Sequence, residues 1–387
     1  MLKLPGLDDP RRRQVREWLE ANPSPNPRQL AESGYAAPHW PKPYGLDADA
    51  IWQLIIDEEL KAAGVSRPAN PIGIGWAGPT IVYAGSEEQK ERYLFPILSG
   101  EEIWCQLFSE PGAGSDLANL STRAVRDGDD YVINGQKVWT TLAHFSRFGI
   151  LLARTDPDAP KHLGVSYFIC PMETPGIEVR PIREMTGVAM FNEVFFDDVR
   201  IPAANLVGQE GRGWELAKVT LANERVSLSG EGVLWGRGPT AADLVDVTRA
   251  RGGLIDRTMR QRLAEVYIEG ELLSIIRMRT LTAKLRGEQP GAEASVRKAI
   301  ADDHGQHVME LAKDLTGTAG LLEEAGPLGA EAGEWPYGFL YARALTVGGG
   351  TSEVQRNIIA ERVLGLPHDV DVDRGKTWAE ARSVRAE

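Results

Sequence analysis

The chain has 387 residues, 42% of them hydrophobic and 25% charged, enough apolar material for two or three buried cores, which excludes the disordered and fibrous classes. With 43 Lys and Arg against 55 Asp and Glu the net charge is −12, so the basic excess that nucleic-acid binding leaves in a composition is lacking. No stretch reaches the roughly 18 consecutive apolar residues of a membrane span, Arg11, Arg12 and Arg13 are not followed by a signal-peptide core, and Cys105 and Cys170 cannot build a disulfide framework or a four-cysteine metal site, so a cytoplasmic protein with reduced thiols is expected.

Residues 1–103 read mainly as helices. Apolar residues recur at helical spacing over 12–21, 48–63 and 87–98, with Trp52, Ile55, Ile56 and Leu60 forming one stripe between Pro- and Gly-rich turns. Over 104–207 the texture changes to short β-rich segments, 131–133, 137–141, 149–153, 165–170 and 194–196. Asn134-Gly135, between the first two, is the dipeptide that type I′ turns favour because both central residues take positive φ, so a hairpin is expected there. From 208 long helices return, expected over 211–234, 258–286, 293–316 and 352–363, broken by Gly236 to Pro239, Gln289-Pro290-Gly291 and Gly326-Pro327. These lengths suit a helical bundle, and 369–387 reads as a loose polar tail. The expected fold class is α+β multidomain, with a helical domain over 1–103, a β domain over 104–207 and a helical domain over 208–387.

The most informative segment is Trp104-Cys105-Gln106-Leu107-Phe108-Ser109-Glu110-Pro111-Gly112-Ala113-Gly114-Ser115-Asp116, followed downstream by Asn134-Gly135-Gln136-Lys137-Val138-Trp139-Thr140-Thr141. Proline and paired glycines fix a tight loop that exposes backbone N–H groups, Ser109, Ser115 and Thr141 add hydroxyls, and Trp139 offers a flat ring. A planar, hydrogen-bonding cofactor suits such a loop; the plainer alternative is an ordinary β-domain turn with a core tryptophan. Neither standard nucleotide loop fits, because Leu117 stands where the dinucleotide fingerprint needs a third glycine and no phosphate-loop Gly-x-x-x-x-Gly-Lys-Ser/Thr occurs.

These two segments resemble the flavin-binding signature of the acyl-CoA dehydrogenase family. Further blocks resemble it in the family's order: Gly78-Pro79-Thr80 with Gly85-Ser86-Glu87-Glu88-Gln89-Lys90, then Phe196-Asp197-Asp198-Val199-Arg200-Ile201-Pro202, then Gly350-Thr351-Ser352-Glu353-Val354-Gln355-Arg356. The resemblance implies an N-terminal helical domain, a middle β-barrel and a C-terminal four-helix bundle that hold FAD. It places Gln106, Phe108, Ser109, Gly114 and Ser115 around the flavin ring and pyrophosphate, with Ser115 contacting the phosphates of FAD or CoA. Trp139 is expected to pack against the flavin, Thr141 to bond near its N5 atom, and Thr351 and Glu353 to hold the adenine end.

Many family members carry the catalytic base as a glutamate at the position of Gly349 in Val347-Gly348-Gly349-Gly350-Thr351. A minority, including the isovaleryl and long-chain branches, place it on the first long C-terminal helix in a Glu-Arg pair, which Asn223-Glu224-Arg225-Val226 matches. Leu221, Glu224, Leu228 and Trp235 stand at steps of three, four and seven, so a carboxylate interrupts an apolar helix face. Burial of a carboxylate strengthens it as a base toward a carbon acid. The competing reading is a structural ion pair at the stripe edge. By resemblance Glu224 removes the α-proton of an acyl-CoA while a hydride leaves the β-carbon, and Gly349 donates its N–H to the thioester oxygen. Ser115, Arg225 and Gly350 are expected at the substrate.

His304 and His307 share a helix face, but with no matching ligand cluster no metal is expected. The chain departs from the family where many members have Arg-x-x-Phe-Gly reaching a neighbouring subunit's FAD; here Thr248-Arg249-Ala250-Arg251-Gly252-Gly253 stands, with Arg249, Arg251 or Arg257 as possible substitutes. The function expected is therefore an acyl-CoA dehydrogenase passing electrons to an electron-transfer flavoprotein, as a homo-oligomer (dimer or tetramer) or a heterotetramer with a related chain. The alternatives are a non-catalytic half-site subunit and a flavin oxidase or monooxygenase on the same fold.

Overall fold

The computed structural model describes residues 6–227, 232–235, 238–250, 252–253, 256–285, 292–318 and 335–386. Contacts gather the chain into two compact units, one running through Glu184 and including Val188–Asn223 and the C-terminal segment from Val370, the other made of Met185–Gly187 and Glu224–Asp369.

The first unit opens with helices whose starts are written in their caps. Asp9 accepts the Arg11 N–H ahead of α1 (Pro10–Ala21), Asn26 and Gln29 form a capping box at α2 (Pro27–Glu32), and Asp49 caps α3 (Ala50–Ala62). The expected stripe on α3 is met: Ile55, Ile56 and Leu60 are buried and Trp52 packs against the same core. A π-helical turn at Gly73–Ala77 leads into α4 (Gly78–Ala84), and α5 (Glu87–Ser99) starts on a Ser86/Gln89 capping box and stops at Gly100, whose φ of +69° needs glycine.

Seven strands follow: β1 (Trp104–Leu107), β2 (Arg123–Asp127), β3 (Asp130–Lys137), β4 (Phe148–Arg154), β5 (Val165–Pro171), β6 (Ile177–Ile182) and β7 (Phe191–Pro202). They form one curled sheet in the order β1-β4-β2-β3-β7-β6, with β5 on β4. Every residue of β4 is buried because the strand faces two cores. Phe148, Ile150 and Leu152 pack with the N-terminal helices, while Leu151 and Ala153 pack with Cys105, Phe168, Val194 and Ile201. A strand covered on both sides reads as an unbroken apolar run.

Two expectations are corrected in this unit. Asn134-Gly135 is not a hairpin turn: β3 runs straight through it and pairs with β7, with a register shift between Ile133 and Gly135. Gly135 is required there because a Cβ would stand 2.5 Å from Thr122 Oγ1. The tight turn lies instead between the paired residues Asp127 and Asp130, with Gly128 at φ +63°. Nor is the tail loose: α12 (Trp378–Ala386) docks through Trp378 and Ala379 N–H bonds to the carbonyls of Ala159 and Pro157, and the Arg154 guanidinium lies 4.7 Å from the Trp378 ring.

Helix α6 (Gly213–Ser227) carries the chain to the second unit, which holds α7 (Ala241–Ala250), α8 (Arg257–Leu285), α9 (Glu293–Thr316), α10 (Trp335–Tyr341) and α11 (Ser352–Ile358), the last continued by a π-helical turn. Helix α9 packs against α7, α8, α10 and α11. Trp235 lies outside α6, in a turn at φ +51°, so it does not continue the expected helix stripe, of which Leu221 and Glu224 lie on α6. Leu228, Gly236, Gln289-Pro290-Gly291 and Gly326-Pro327 lie outside the described residues.

Candidate active site

The two motif segments meet at the end of β3. The Val138 N–H donates to the Ser109 carbonyl at 2.9 Å, and the Glu110 and Ala113 backbones exchange two bonds of 3.1 Å that close the Glu110-Pro111-Gly112-Ala113 turn. Beneath that turn Lys137 is fully buried, and its Nζ donates to the Phe108 carbonyl at 3.0 Å and to Glu110 Oε1 at 2.8 Å. The other Glu110 lone pairs accept from the Ser121 N–H, the Ser121 hydroxyl and the Thr122 N–H. Burial pushes the Glu110 carboxyl up, but Lys137 and these donors outweigh it and hold it down at about 2. An ion pair with every lone pair matched is a rigid pin, so the loop is tied to the strand that leads to Trp139.

The outer side of the loop is open. Gly112, Gly114 and Ser115 are exposed, and a Cβ on either glycine would meet nothing within 4 Å. Trp139 stands at φ +60° with its side chain 59% exposed, 6.0 Å from the Phe191 ring in edge-to-face contact. Large residues rarely adopt that backbone region, and this one is held there by its neighbour: Thr140 and Asn192 exchange bonds of 3.0 and 2.9 Å. The Thr140 hydroxyl is buried with no partner among the described residues, and Thr141 is half-buried beside it. Gln106 is half-buried on β1, paired with Ile150. The Phe108 ring is buried, in edge-to-face contact with Tyr167.

Helix α6 is anchored by hydroxyls. Thr220 Oγ1 lies 2.8 Å from Thr80 Oγ1 and 3.0 Å from the Tyr167 hydroxyl, and it donates to the Leu216 carbonyl; burial pushes the tyrosine well above its usual range. Glu224 follows Thr220 by one helical turn, on the same helix face, and is 7% exposed. Thr220→Val therefore lowers stability by about 1–3 kcal/mol, since it takes a hydrogen-bond partner from the fully buried Tyr167 hydroxyl, while Thr80 keeps its bond to the Trp76 carbonyl; a urea-unfolding series with and without the substitution measures it. The side chain of Arg225 lies outside the described residues.

The Gly348-Gly349-Gly350 turn forms between α10 and α11. Gly349 and Gly350 take φ of +65° and +92°, and Thr351 caps α11 by accepting the Val354 N–H. Left-handed backbone at 349 disfavours any side chain there, in keeping with a base carried elsewhere. The Gly349 N–H has no hydrogen-bond partner among the described residues. Glu353 is exposed in the first turn of α11, its carboxyl lowered by backbone and Thr351 hydrogen bonds. Elsewhere in this unit His304 and His307 both bond to Glu269, at 2.9 and 3.2 Å, a bridge between α8 and α9. Arg249 is exposed and paired with Asp246, Arg257 is exposed, and Arg251 lies outside the described residues.

Residues 9–101, 105–199 and 211–364 match, in turn, the acyl-CoA dehydrogenase N-terminal, middle and C-terminal domains. The chain belongs to the acyl-CoA dehydrogenase family. It is 44% identical over 339 residues to acyl-CoA dehydrogenase FadE34 of Mycobacterium tuberculosis, covering 87% of this chain but only 45% of FadE34. Among solved structures it is similar to the ChsE4–ChsE5 complex of Mycobacterium tuberculosis (32% identity, TM-score 0.79, 95% of this chain and 100% of that one). It is similar also to the Tcur3481–Tcur3483 steroid ACAD (30% identity, TM-score 0.79, 92% and 97%). The homologous proteins are acyl-CoA dehydrogenases and the family is one of FAD-dependent oxidoreductases, so fold, family and enzyme class are those expected from the sequence. Among the described residues no helix is long and apolar enough to cross a membrane.

The residues present fit a flavin. A ring needs a flat apolar neighbour, hydroxyls and a loop that backbone N–H groups can present, and Trp139, the Thr140 hydroxyl, unpartnered among the described residues, with Thr141, and the open Gly112–Ser115 rim are of that kind. Sequence reasoning assigned no role to Glu110, Lys137, Thr80, Tyr167 or Thr220, the groups that fix the loop and the helix. The available signal was a lysine in phase with buried Tyr131 and Ile133 on β3.

Proposed function

We propose that this chain catalyses FAD-dependent α,β-dehydrogenation of an acyl-CoA thioester to the trans-2-enoyl-CoA, and that the electrons pass to an electron-transfer flavoprotein. The observation that carries the reading is Glu224, a buried carboxylate on a helix anchored one turn earlier, in a family chain whose alternative base position is a left-handed glycine. Glu224 takes the α-proton, and the Gly349 N–H, which has no partner among the described residues, donates to the thioester oxygen as charge builds on it. Gln106, Phe108, Ser109, Gly114, Ser115, Trp139 and Thr141 seat the ring and pyrophosphate of FAD, and Thr351 and Glu353 its adenine end. Ser115, Arg225 and Gly350 hold the CoA thioester. When bound, FAD supplies the acceptor for the hydride that leaves the β-carbon. The buried, unpaired Cys105 and Cys170 accord with a cytoplasmic setting.

Anaerobic titration of the purified chain with saturated acyl-CoAs, short, long, branched and steroid-linked, tests the reading. Loss of the yellow flavin absorbance with one class is expected, and the steroid ACAD among the similar structures puts the steroid-linked thioester first. A flavin that no thioester reduces removes the dehydrogenase reading.

A second reading, a half-site subunit that shares flavin contacts with a related chain, is favoured by the segment 248–253. There Arg-x-x-Phe-Gly is missing and Arg249 is engaged with Asp246. The similar ChsE4–ChsE5 structure is a complex of two chains, which accords with it. Stoichiometric FAD on this chain expressed alone removes that reading.

A further inference from the structure

The Gly349 N–H is useful as a donor only if its peptide is held still, and glycine supplies the opposite property. Gly349 and its neighbour Gly350 both occupy backbone conformations open chiefly to glycine, so nothing in their own sequence fixes the peptide orientation. On the upstream side the Gly348 N–H is tied to the Ala344 carbonyl at 2.9 Å, and a Cβ at 348 would stand 2.6 Å from the Trp235 ring, so the ring covers that residue closely. On the downstream side one side chain closes the turn. Gln355 on α11 is 1% exposed, and its Nε2 donates to the Gly349 carbonyl at 3.4 Å and to the Gly350 carbonyl at 3.2 Å.

Only the amide nitrogen suits that place, since a flipped amide would set an oxygen against two carbonyl oxygens. The same contact accounts for Gly350, where a Cβ would stand 2.6 Å from Gln355 Nε2. The glycine is needed for its φ and also so that the amide can reach the turn. Thr351, the cap of α11, lies between turn and glutamine and fixes the helix that carries Gln355.

We propose that Gln355 is a positioning residue for the reaction: its buried amide clamps the Gly349 and Gly350 carbonyls and thereby holds the Gly349 N–H toward the thioester oxygen. This rests on the reading of Gly349 as the oxyanion donor. Gln355 touches neither substrate nor the reacting atoms; it brackets the donor peptide from one side as the Gly348–Ala344 bond does from the other.

The test uses the FAD-loaded full chain and two variants, the isosteric Gln355→Glu and the donor-free Gln355→Met. The probe is trans-2-octenoyl-CoA labelled with 13C at the thioester carbonyl, whose stretching frequency is followed by difference infrared spectroscopy, alongside kcat and KM for the thioester that reduces the flavin. In the native enzyme the bound carbonyl frequency is expected below its solution value. In both variants it moves back toward solution, and kcat falls by about 10- to 100-fold with KM changed less than about threefold, somewhat under the loss seen when an oxyanion donor is itself removed. A bound native complex that keeps the solution frequency overturns the Gly349 reading. A lowered native frequency that stays lowered in either FAD-loaded variant, with kcat retained or with only thermal stability reduced, overturns the role of Gln355 alone. If one variant fails to fold, the other decides.

Discussion

Glu224→Gln is expected to leave a folded, yellow protein whose flavin reduction by substrate is slower by about a hundred- to ten-thousand-fold, the span general-base catalysis commonly supplies. The amide keeps the volume and burial of the carboxylate, and α6 remains fixed through Thr220, Thr80 and Tyr167, so neither packing nor helix position changes. What disappears is the capacity to accept a proton. Glu224→Asp keeps that capacity but withdraws it by one methylene, and misplacement on that scale is enough for an intermediate loss. Single-turnover reduction under anaerobic conditions isolates the step from reoxidation, and equilibrium binding of the trans-2-enoyl-CoA checks that the site is intact. A rate for Glu224→Gln within a few-fold of native would place the base on another residue.

Local signals in the sequence were sufficient wherever the chain carries its own instructions. The capped helices α1, α3 and α5 and the long helices α8 and α9 lie within a few residues of where periodicity puts them. Strand signals failed where burial is one-sided or brief: β2 has a single buried residue, β6 has none, and β1 is four residues long. Gly135 misled because Asn-Gly favours a turn locally, whereas the approach of Thr122 makes it a bulge, and that neighbour is distant in sequence. The docking of α12 likewise depends on Arg154 and Ala159, more than two hundred residues upstream. At the site, the sequence names Trp139 and Glu224 as candidates for the chemistry proposed. Thr80 and Tyr167, which bond to Thr220 on α6, and Gln355, which bonds to the Gly349 and Gly350 carbonyls, look like ordinary core or helix residues until the fold brings their partners near.

Lys137→Met is the substitution expected to cost the most stability. It removes the only cation bonded to Glu110 among the described residues and leaves a carboxylate with a burial penalty offset by three neutral donors. Breaking one side of a buried pair in this way costs about 3–5 kcal/mol, so a thermal melt falls by several degrees and the released 108–116 loop no longer retains FAD. The pH dependence shifts with a definite sign. Glu110 in the native protein titrates at about 2, below its ordinary 4.5, so its stabilisation is complete above pH 4.5 and is lost as pH falls toward 2. Without Lys137 burial dominates, the carboxyl rises, and acid unfolding begins at higher pH. Melting temperatures measured from pH 7 to pH 3 on both proteins show the two curves diverging in that direction. The double variant Glu110→Gln with Lys137→Met separates charge from packing, because it deletes the uncompensated carboxylate that the single variant creates. It should be more stable than Lys137→Met alone and should lose most of the acid sensitivity. A double variant no more stable than the single would mean that Lys137 supports the loop through the Phe108 carbonyl rather than through Glu110.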